Sequence, residues 1–437
     1  MVEAWRGDPS PARVQRIGAR ARHDKGRGCQ SAAFPPYQQH RRAVRPEPER
    51  TVGENTVLTR RNFVGGVASG SVAAALGYIA VRDPREVRAA IPQAASQSDE
   101  YDSYAKLANN ENPWGPPKSV MDAMTYAFKY ANRYGYPDGN IVQELARHHG
   151  VPTDHIMLGA GSGEILNVVG ITFLQNGKKV VGSDPSYGSV YSHATSLKTE
   201  AIRVPLLSDF RQDIPALIAT TRRNYRDAGF VFLCNPNNPT GRIVPRREVQ
   251  ALLDGIPEDV PVLVDEAYHH FVEHSEYATS VPHVIAGRNV IVARTFSKIS
   301  GLAGMRLGYA IARPDIIRRM RPYTTGSVNA LVRWGGAAAL KDTAAQEQVK
   351  RQTIQLRQKA VADLDALGYK SIPSDGNFFM VHIRRPIQPV IEEFRKRKVL
   401  VGRPFPPMTD YMRVSIGTAE EMARFMAAYK EIFSAAS

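Results

Sequence analysis

The sequence predicts an α/β fold in which a mostly parallel sheet lies between helices, and three observations support this. Short apolar runs rich in Val, Ile and Phe alternate with amphipathic stretches of helical period after residue 104. Each run is followed directly by polar residues, and open parallel sheets bind their ligands at such strand ends. The chain has 437 residues, 43% of them hydrophobic, so it can bury a large core in two domains or one large α/β unit.

The composition excludes several other classes of protein. The 34 glycines and 30 prolines have no period, which excludes a collagen-like chain. The two cysteines, Cys29 and Cys234, are too few for a disulfide scaffold or a multi-cysteine metal site.

The net charge of +15 is distributed unevenly along the chain. Residues 1–61 contain 13 Lys and Arg against 6 Asp and Glu. Residues 1–59 have no apolar periodicity, so we predict a disordered basic leader, and we expect that synthesis begins later than Met1. The leader contains no helix-turn-helix pattern, and we therefore expect no nucleic-acid partner.

A second N-terminal segment, residues 60–95, has the pattern of an export signal. Arg60 and Arg61 are followed by an uncharged, Gly- and Ala-rich stretch that ends at Val81. This arrangement resembles a twin-arginine signal peptide, which predicts cleavage near Ala95 and export to the periplasm or beyond by the twin-arginine machinery. The protein is cytoplasmic if this interpretation is wrong. Four glycines make the stretch a poor permanent anchor, so no stable membrane attachment is expected.

Four apolar runs are the strongest strand candidates, and each precedes a polar cluster. The runs are residues 179–182, 230–234, 260–264 and 290–293, and the clusters are DPSYGS, NPNNPTG, DEAY and RTFSK. A long charged amphipathic pattern over residues 342–367 predicts an exposed helix that leads to a further domain with strands at 378–383 and 412–416.

Lys298 is the strongest candidate for covalent chemistry. It follows the fourth apolar run and is flanked by hydroxyls, a position in which its amine can be desolvated for Schiff-base formation. A lone Ser-Lys pair is weak evidence, but here it occurs within an ordered set of motifs. These are GAGSGE (159–164), DPSYGSVY (184–191), NPNNPTG (235–241), DEAY (265–268), TFSK (295–298) and GMRLGY (304–309).

From about residue 107 to residue 437 the chain resembles the fold type I, class I/II pyridoxal-phosphate aminotransferases. LANNENPWGPP (107–117) and YGYPDGN (134–140) point to the histidinol-phosphate aminotransferase branch. The resemblance implies a three-layer PLP-dependent transferase fold with a smaller α+β domain, and a homodimer. It also implies three regions: an N-terminal arm that forms part of the small domain (96–135), a large cofactor domain (136–330) and a C-terminal small domain (331–437).

The resemblance also implies a role for each residue of the cofactor site. Lys298 would form the Schiff base with pyridoxal phosphate and transfer the substrate proton. Asp265 would keep the ring nitrogen protonated, Tyr268 and Asn238 would bind the phenolic oxygen, and Tyr187 would stack on the ring. The implied phosphate ligands are Gly161, Ser162, Gly163, Thr295, Ser297, Arg306 and, from a neighbouring subunit, Tyr136.

Substrate recognition is assigned to arginines. Arg413 would hold a substrate carboxylate, or a phosphate in the histidinol-phosphate branch, and Arg403 would supply a second anion contact. Asn112 and Asn377 would line the pocket, with a loop-capping or turn role equally open. We expect no metal, because the adjacent His269 and His270 do not share a face in a strand.

The activity predicted is the transfer of an amino group between an amino acid or amine and a 2-oxo acid. Decarboxylation, elimination and racemisation remain open, because the same Schiff base supports them. A non-enzymatic regulator with an aminotransferase-like domain is a further alternative. The export signal argues against histidine biosynthesis, which takes place in the cytoplasm.

Overall fold

The computed structural model describes residues 100–434, and these form an α/β fold. The predicted leader (1–59) and signal peptide (60–95) lie outside the described residues, and the three domain ranges implied by the resemblance stay predictions. The strands are β1 (Ala105–Leu107), β2 (Ile156–Gly159), β3 (Lys179–Asp184), β4 (Ala201–Pro205), β5 (Ala228–Cys234), β6 (Val262–Asp265), β7 (Val290–Thr295), β8 (Gly308–Ala312), β9 (Ser371–Ile372), β10 (Phe378–His382), β11 (Val399–Val401) and β12 (Tyr411–Ser415). The helices are α1 (Lys118–Ala127), α2 (Ile141–His149), α3 (Ser162–Phe173), α4 (Ser189–Ser196), α5 (Ile214–Arg223), α6 (Arg246–Gly255), α7 (Val281–Ile285), α8 (Pro314–Met320), α9 (Ala330–Lys341), α10 (Thr343–Ala366), α11 (Ile387–Lys396) and α12 (Ala419–Ser434).

The largest sheet has seven strands in the order β2-β8-β7-β6-β5-β3-β4. Six of these strands run in the same direction, and β8 runs in the opposite direction. The carboxyl ends of six strands and the amino end of β8 therefore meet at one edge. The four predicted strands are confirmed as β3, β5, β6 and β7, although their observed bounds differ by one to two residues.

Helices cover both faces of this sheet. Phe230 and Phe232 of β5 belong to one apolar cluster with α3, α4 and α8, whereas Val231 and Leu233 belong to a second cluster with helices of the other face. Strands buried on both faces are apolar at consecutive positions, which explains the continuous runs seen in the sequence. The large sheet and its helices form the expected three layers.

Two small sheets lie outside the large one, and all their strands except β1 belong to the C-terminal part of the chain. One is antiparallel with the order β12-β10-β9, and the other pairs β1 in parallel with β11, with Ala105 opposite Val399. The long predicted helix and the two later strands are confirmed as α10, β10 and β12. The pairing of β1 places residues 108–112 beside β12 and the edge of the large sheet. Between residues 100 and 434 no helix is both long and apolar enough to cross a bilayer.

Candidate active site

A cavity of about 670 Å³ lies where the strand ends of the large sheet meet β12 and the segment after β1. Twelve of the residues predicted from the sequence line it. They are Ser162, Gly163, Tyr187, Asn238, Asp265, Tyr268, Thr295, Ser297, Lys298, Arg306, Arg403 and Arg413. The ordered motifs of the sequence therefore converge on one site.

Lys298 reaches this cavity because it lies three residues beyond the end of β7. Its Nζ donates a hydrogen bond of 3.1 Å to the backbone oxygen of Asn109. Burial, together with the nearby charge of Arg413, lowers the pKa of the Lys298 amine to about 8. An amine with this pKa is partly neutral near neutral pH, so it can act as a nucleophile and as a base.

Asp265 is the last residue of β6, the strand next to β7, and only 3% of it is exposed. One carboxylate oxygen accepts a 3.1 Å hydrogen bond from the backbone N–H of Ala267. Burial raises the pKa of the Asp265 carboxyl to about 7. A buried carboxylate is stable when it faces a cationic partner, and a protonated ring nitrogen meets that requirement.

The neighbouring carboxylate, Glu266, already has a partner. Its Oε2 accepts hydrogen bonds of 2.8 and 3.1 Å from the guanidinium of Arg294, and both side chains are almost completely buried. Arg294 therefore does not compete for Asp265.

Tyr268 presents its hydroxyl to two amide side chains. Asn110 Nδ2 donates to the Tyr268 oxygen at 3.1 Å, and Asn238 Nδ2 donates to it at 3.3 Å. The ring packs edge-on against Phe378 with centroids 4.9 Å apart. Burial raises the pKa of the Tyr268 hydroxyl, so Tyr268 keeps its proton at neutral pH and can donate a hydrogen bond.

An anion cradle lies at the N-terminus of α3. Gly161 caps this helix with φ of +81°, a conformation that favours glycine, and a Cβ at this position would clash with the Arg306 guanidinium. Arg306 Nη1 lies 3.5 Å from Ser297 Oγ, which is 2.9 Å from Thr295 Oγ1. Helix N–H groups, two hydroxyls and a guanidinium together fit a phosphate dianion.

Arg413 projects from β12 into the cavity and is only 7% exposed. Its Nη1 donates to Asn238 Oδ1 at 2.8 Å and its Nη2 to the oxygen of Ala108, while the buried Nε has no hydrogen-bond partner among residues 100–434. Burial lowers the pKa of Arg413 to about 10. A buried guanidinium group on a residue that lines a cavity is suited to an anionic ligand. The more exposed Arg403 lies over the same ring as Arg413, that of Phe405.

Four predicted residues do not line the cavity. Gly161 lies directly behind it, and Tyr136 donates to the oxygen of Val328 at 3.0 Å. Asn112 Nδ2 donates to the oxygen of Ile299 at 2.9 Å. Asn377 Nδ2 donates to the oxygen of Asn110 at 3.0 Å. In this chain Asn112 and Asn377 therefore hold the backbone of the cavity wall.

Several cavity residues were not predicted from the sequence. Asn110, Glu111, Gln388, Ile391 and Pro404 all line it. Asn110 lies in the LANNENP motif beside residues that were predicted, but nothing in the local sequence distinguishes it. Among residues 100–434 no group of three or more His, Cys, Asp or Glu side chains is arranged to hold a metal ion.

Comparison with known proteins defines the family. The profile described as aminotransferase class I and II matches residues 102–428, and the chain belongs to this family. It is a pyridoxal-phosphate-dependent transaminase, similar to proteins named histidinol-phosphate aminotransferase.

Three of these similar proteins illustrate the extent of the match. The protein from Moorella thermoacetica is 37% identical over 336 residues, which is 75% of this chain and 85% of the relative. The protein from Dechloromonas aromatica is 33% identical over 82% of this chain and 98% of its own length. The crystal structure of the Sinorhizobium meliloti enzyme in complex with pyridoxal-5'-phosphate superposes with a TM-score of 0.72 at 26% identity, over 82% of this chain and 99% of that chain.

Proposed function

We propose that this chain is exported and, as a homodimer, transfers the amino group of an anionic amino acid or amine to a 2-oxo acid, with Lys298 as the reacting amine. The observation that carries the proposal is that Lys298, Asp265 and Arg413 line a single cavity. These groups supply a nucleophilic amine, a carboxylate that can pair with a cation, and a guanidinium that can bind an anion.

The bound cofactor supplies an aldehyde and an aromatic ring that accepts the electron pair released at the substrate carbon. Lys298 Nζ removes the proton from the α-carbon of the donor and returns it further along the reaction. The Asp265 carboxylate keeps the ring nitrogen cationic, while the cradle around Arg306 binds the phosphate. Arg413 orients the donor through its carboxylate or phosphate, since this arginine lines the cavity.

The homodimer completes the proposed phosphate site through Tyr136. Within its own chain Tyr136 does not line the cavity, so its proposed role requires the cavity of a second copy. Tyr126 and Phe128, shortly before it in the sequence, are more than half exposed. Exposed aromatic side chains are typical of surfaces that bind another protein.

Export is proposed from Arg60 and Arg61 and the uncharged stretch that follows them. The family match begins only at residue 102, so the export segment lies outside the catalytic unit. An exported enzyme meets amino acids and amines from outside the cytoplasm. We therefore propose such a donor, although the relatives are named for histidinol phosphate.

Product analysis tests the proposed reaction. The purified protein is incubated with a panel of amino acids and amines, each with 2-oxoglutarate or pyruvate. We expect the 2-oxo acid or carbonyl product of the donor in equal amount to the new amino acid. Release of carbon dioxide or inversion of the α-carbon without amino transfer would contradict the proposal.

Cell fractionation tests export. Changing Arg60 and Arg61 to Lys should retain the precursor in the cytoplasm. The matched control changes Arg41 and Arg42 to Lys, because this pair lies in the leader without a following apolar stretch. Equal export of both variants would refute the signal.

A mixing experiment tests the shared site. Tyr136→Phe and Lys298→Ala are each expected to impair activity, and a hybrid dimer contains one site in which both residues are wild type. Recovery of activity on mixing under subunit exchange supports the homodimer, whereas activity that never exceeds the sum of the two variants contradicts it.

A further inference from the structure

Asn110 occupies a buried and conformationally unusual position beside the cavity. It is 1% exposed and has φ of +55°, in the left-handed region, which asparagine adopts more readily than other residues except glycine. The buried side chain is therefore fixed by the groups that surround it.

Three hydrogen bonds tie Asn110 to the C-terminal strands. Its backbone N–H donates to Ser415 Oγ at 2.8 Å, and the Ser415 hydroxyl donates back to Asn110 Oδ1 at 2.8 Å. The backbone oxygen of Asn110 accepts from Asn377 Nδ2 at 3.0 Å. With Oδ1 occupied by Ser415, the Nδ2 group of Asn110 is the end that faces Tyr268.

The second amide at Tyr268 is oriented by a different donor. Arg413 can only donate hydrogen bonds, so Asn238 Oδ1 must be the acceptor of their 2.8 Å contact. The Nδ2 group of Asn238 then faces the Tyr268 hydroxyl. The Tyr268 oxygen thus accepts from two amides, and its own proton is left for a partner in the cavity.

We propose that Asn110 is a positioning residue that directs the Tyr268 hydroxyl proton into the cavity, towards the phenolic oxygen of the cofactor. This inference rests on the proposed placement of Tyr268 beside that oxygen. Without the Asn110 amide, one acceptor site of Tyr268 is free and the hydroxyl can rotate away. The hydrogen bond to the cofactor is then weaker.

The visible absorption of the bound cofactor reports this hydrogen bond. This absorption changes with pH when Lys298 Nζ, joined to the cofactor, loses its proton. The deprotonated form has its full negative charge on the phenolic oxygen. A hydroxyl that donates to this oxygen stabilises the deprotonated form. Loss of Asn110 should therefore move the midpoint of the spectral titration to higher pH, by roughly half to one pH unit for one hydrogen bond.

The test is a double-mutant cycle on the cofactor-loaded protein, with the spectral midpoint as the measured quantity. Asn110→Ala and Tyr268→Phe should each raise the midpoint, and Asn110→Ala should raise it no further in the Tyr268→Phe background. Asn176→Ala is the matched control. Asn176 is exposed, does not line the cavity and has φ of +57°, so the variant reproduces the backbone change at position 110 while the midpoint should not move.

An unchanged midpoint in Asn110→Ala, or the same shift with and without Tyr268, overturns the inference. If Asn110→Ala does not fold, Asn110→Asp, which has the same size, replaces it. Its carboxylate accepts a hydrogen bond from the Tyr268 hydroxyl, so a larger upward shift is expected and an unchanged midpoint again overturns the inference.

If Tyr268→Phe alone has no effect, the placement of Tyr268 beside the phenolic oxygen is wrong and the inference is overturned with it. Wild-type protein that never acquires a visible cofactor band refutes the proposed function itself.

Discussion

Arg413 and Asn238 are joined by a 2.8 Å hydrogen bond from Nη1 to Oδ1. Asn238 in turn donates to Tyr268, so the proposed anion-binding arginine and the proposed cofactor-binding tyrosine share one amide. An anion that binds Arg413 would compete for the guanidinium N–H groups that hold Asn238. We therefore expect anion binding at Arg413 to alter the hydrogen bonding of Tyr268 through Asn238.

The first prediction concerns the anion specificity of Arg413. Arg413→Lys retains a positive charge but loses the planar fork, and we expect kcat/KM for an anionic donor to fall by about 100-fold, the effect of losing a buried charge-assisted hydrogen bond. Arg403→Lys is the comparison, and because Arg403 is exposed its effect should be smaller. Steady-state kinetics with each donor measures both, and equal losses would assign the two arginines equal roles.

A second prediction concerns Gly161 in the anion cradle. Gly161→Ala forces a Cβ against Arg306 and strains a left-handed backbone, so affinity for pyridoxal phosphate should fall at least about tenfold. Gly188→Ala is the matched control, because Gly188 does not line the cavity, has φ of −70°, and a Cβ there would meet no atom of residues 100–434 within 4 Å. Equilibrium dialysis of the cofactor measures the affinity. A normal dissociation constant in Gly161→Ala would be inconsistent with this cradle.

The third prediction concerns covalent attachment at Lys298. Borohydride reduction of the loaded wild-type protein should add the mass of the reduced cofactor to the peptide that contains Lys298. Neither Lys298→Ala nor Lys298→Arg should gain this mass, and transamination should fall at least about 100-fold in both. The Arg variant separates covalent attachment from positive charge. Mass spectrometry of the digest would contradict the assignment if another lysine carried the label in wild type.

The fourth prediction concerns the pH dependence of stability through Asp265. Burial raises the pKa of this carboxyl to about 7, so the folded cofactor-free protein binds its proton more tightly than the unfolded chain does. Asp265 therefore destabilises the fold progressively as pH rises from roughly 4 to 7, and the full destabilisation is present above pH 7. Asp265→Asn should raise the Tm of cofactor-free protein at pH 8, with little effect near pH 4.

The neighbouring Glu266 is the control for this measurement. It is paired with Arg294, so Glu266→Gln should lower the Tm at pH 8 rather than raise it. With cofactor present, Asp265→Asn should reduce activity by about 100- to 1,000-fold, because the ring nitrogen loses its counter-ion. A Tm of Asp265→Asn at or below that of wild type at pH 8 would show that the carboxylate already has a cationic partner.

Much of the large sheet could be predicted from the sequence because its central strands are buried on both faces. Continuous apolar runs then mark β3, β5, β6 and β7 directly. Strands β2, β4 and β8 were not predicted. β2 and β4 are the two edge strands of the sheet, and β8 is rich in Gly and Ala, which are depleted in strands.

The candidate site shows the same limit at the level of side chains. Lys298 could be found because it follows an apolar run within an ordered set of motifs, and Asp265 was assigned through the family resemblance that those motifs carry. Asn110 could not be distinguished from Asn112 in the same motif, since its partner Ser415 lies 305 residues along the chain. Contacts of this kind depend on the folded topology rather than on local spacing.

The parallel pairing of β1 with β11 limits how far the N-terminus can be trimmed without loss of a strand. The proposed cleavage near Ala95 lies ten positions before Ala105, the first residue of β1 that pairs with β11, and would leave this strand intact. Trimming past that residue would remove a strand from the two-stranded sheet and release the segment that carries Asn110. The tolerance of the mature enzyme to N-terminal proteolysis should therefore end abruptly at this strand.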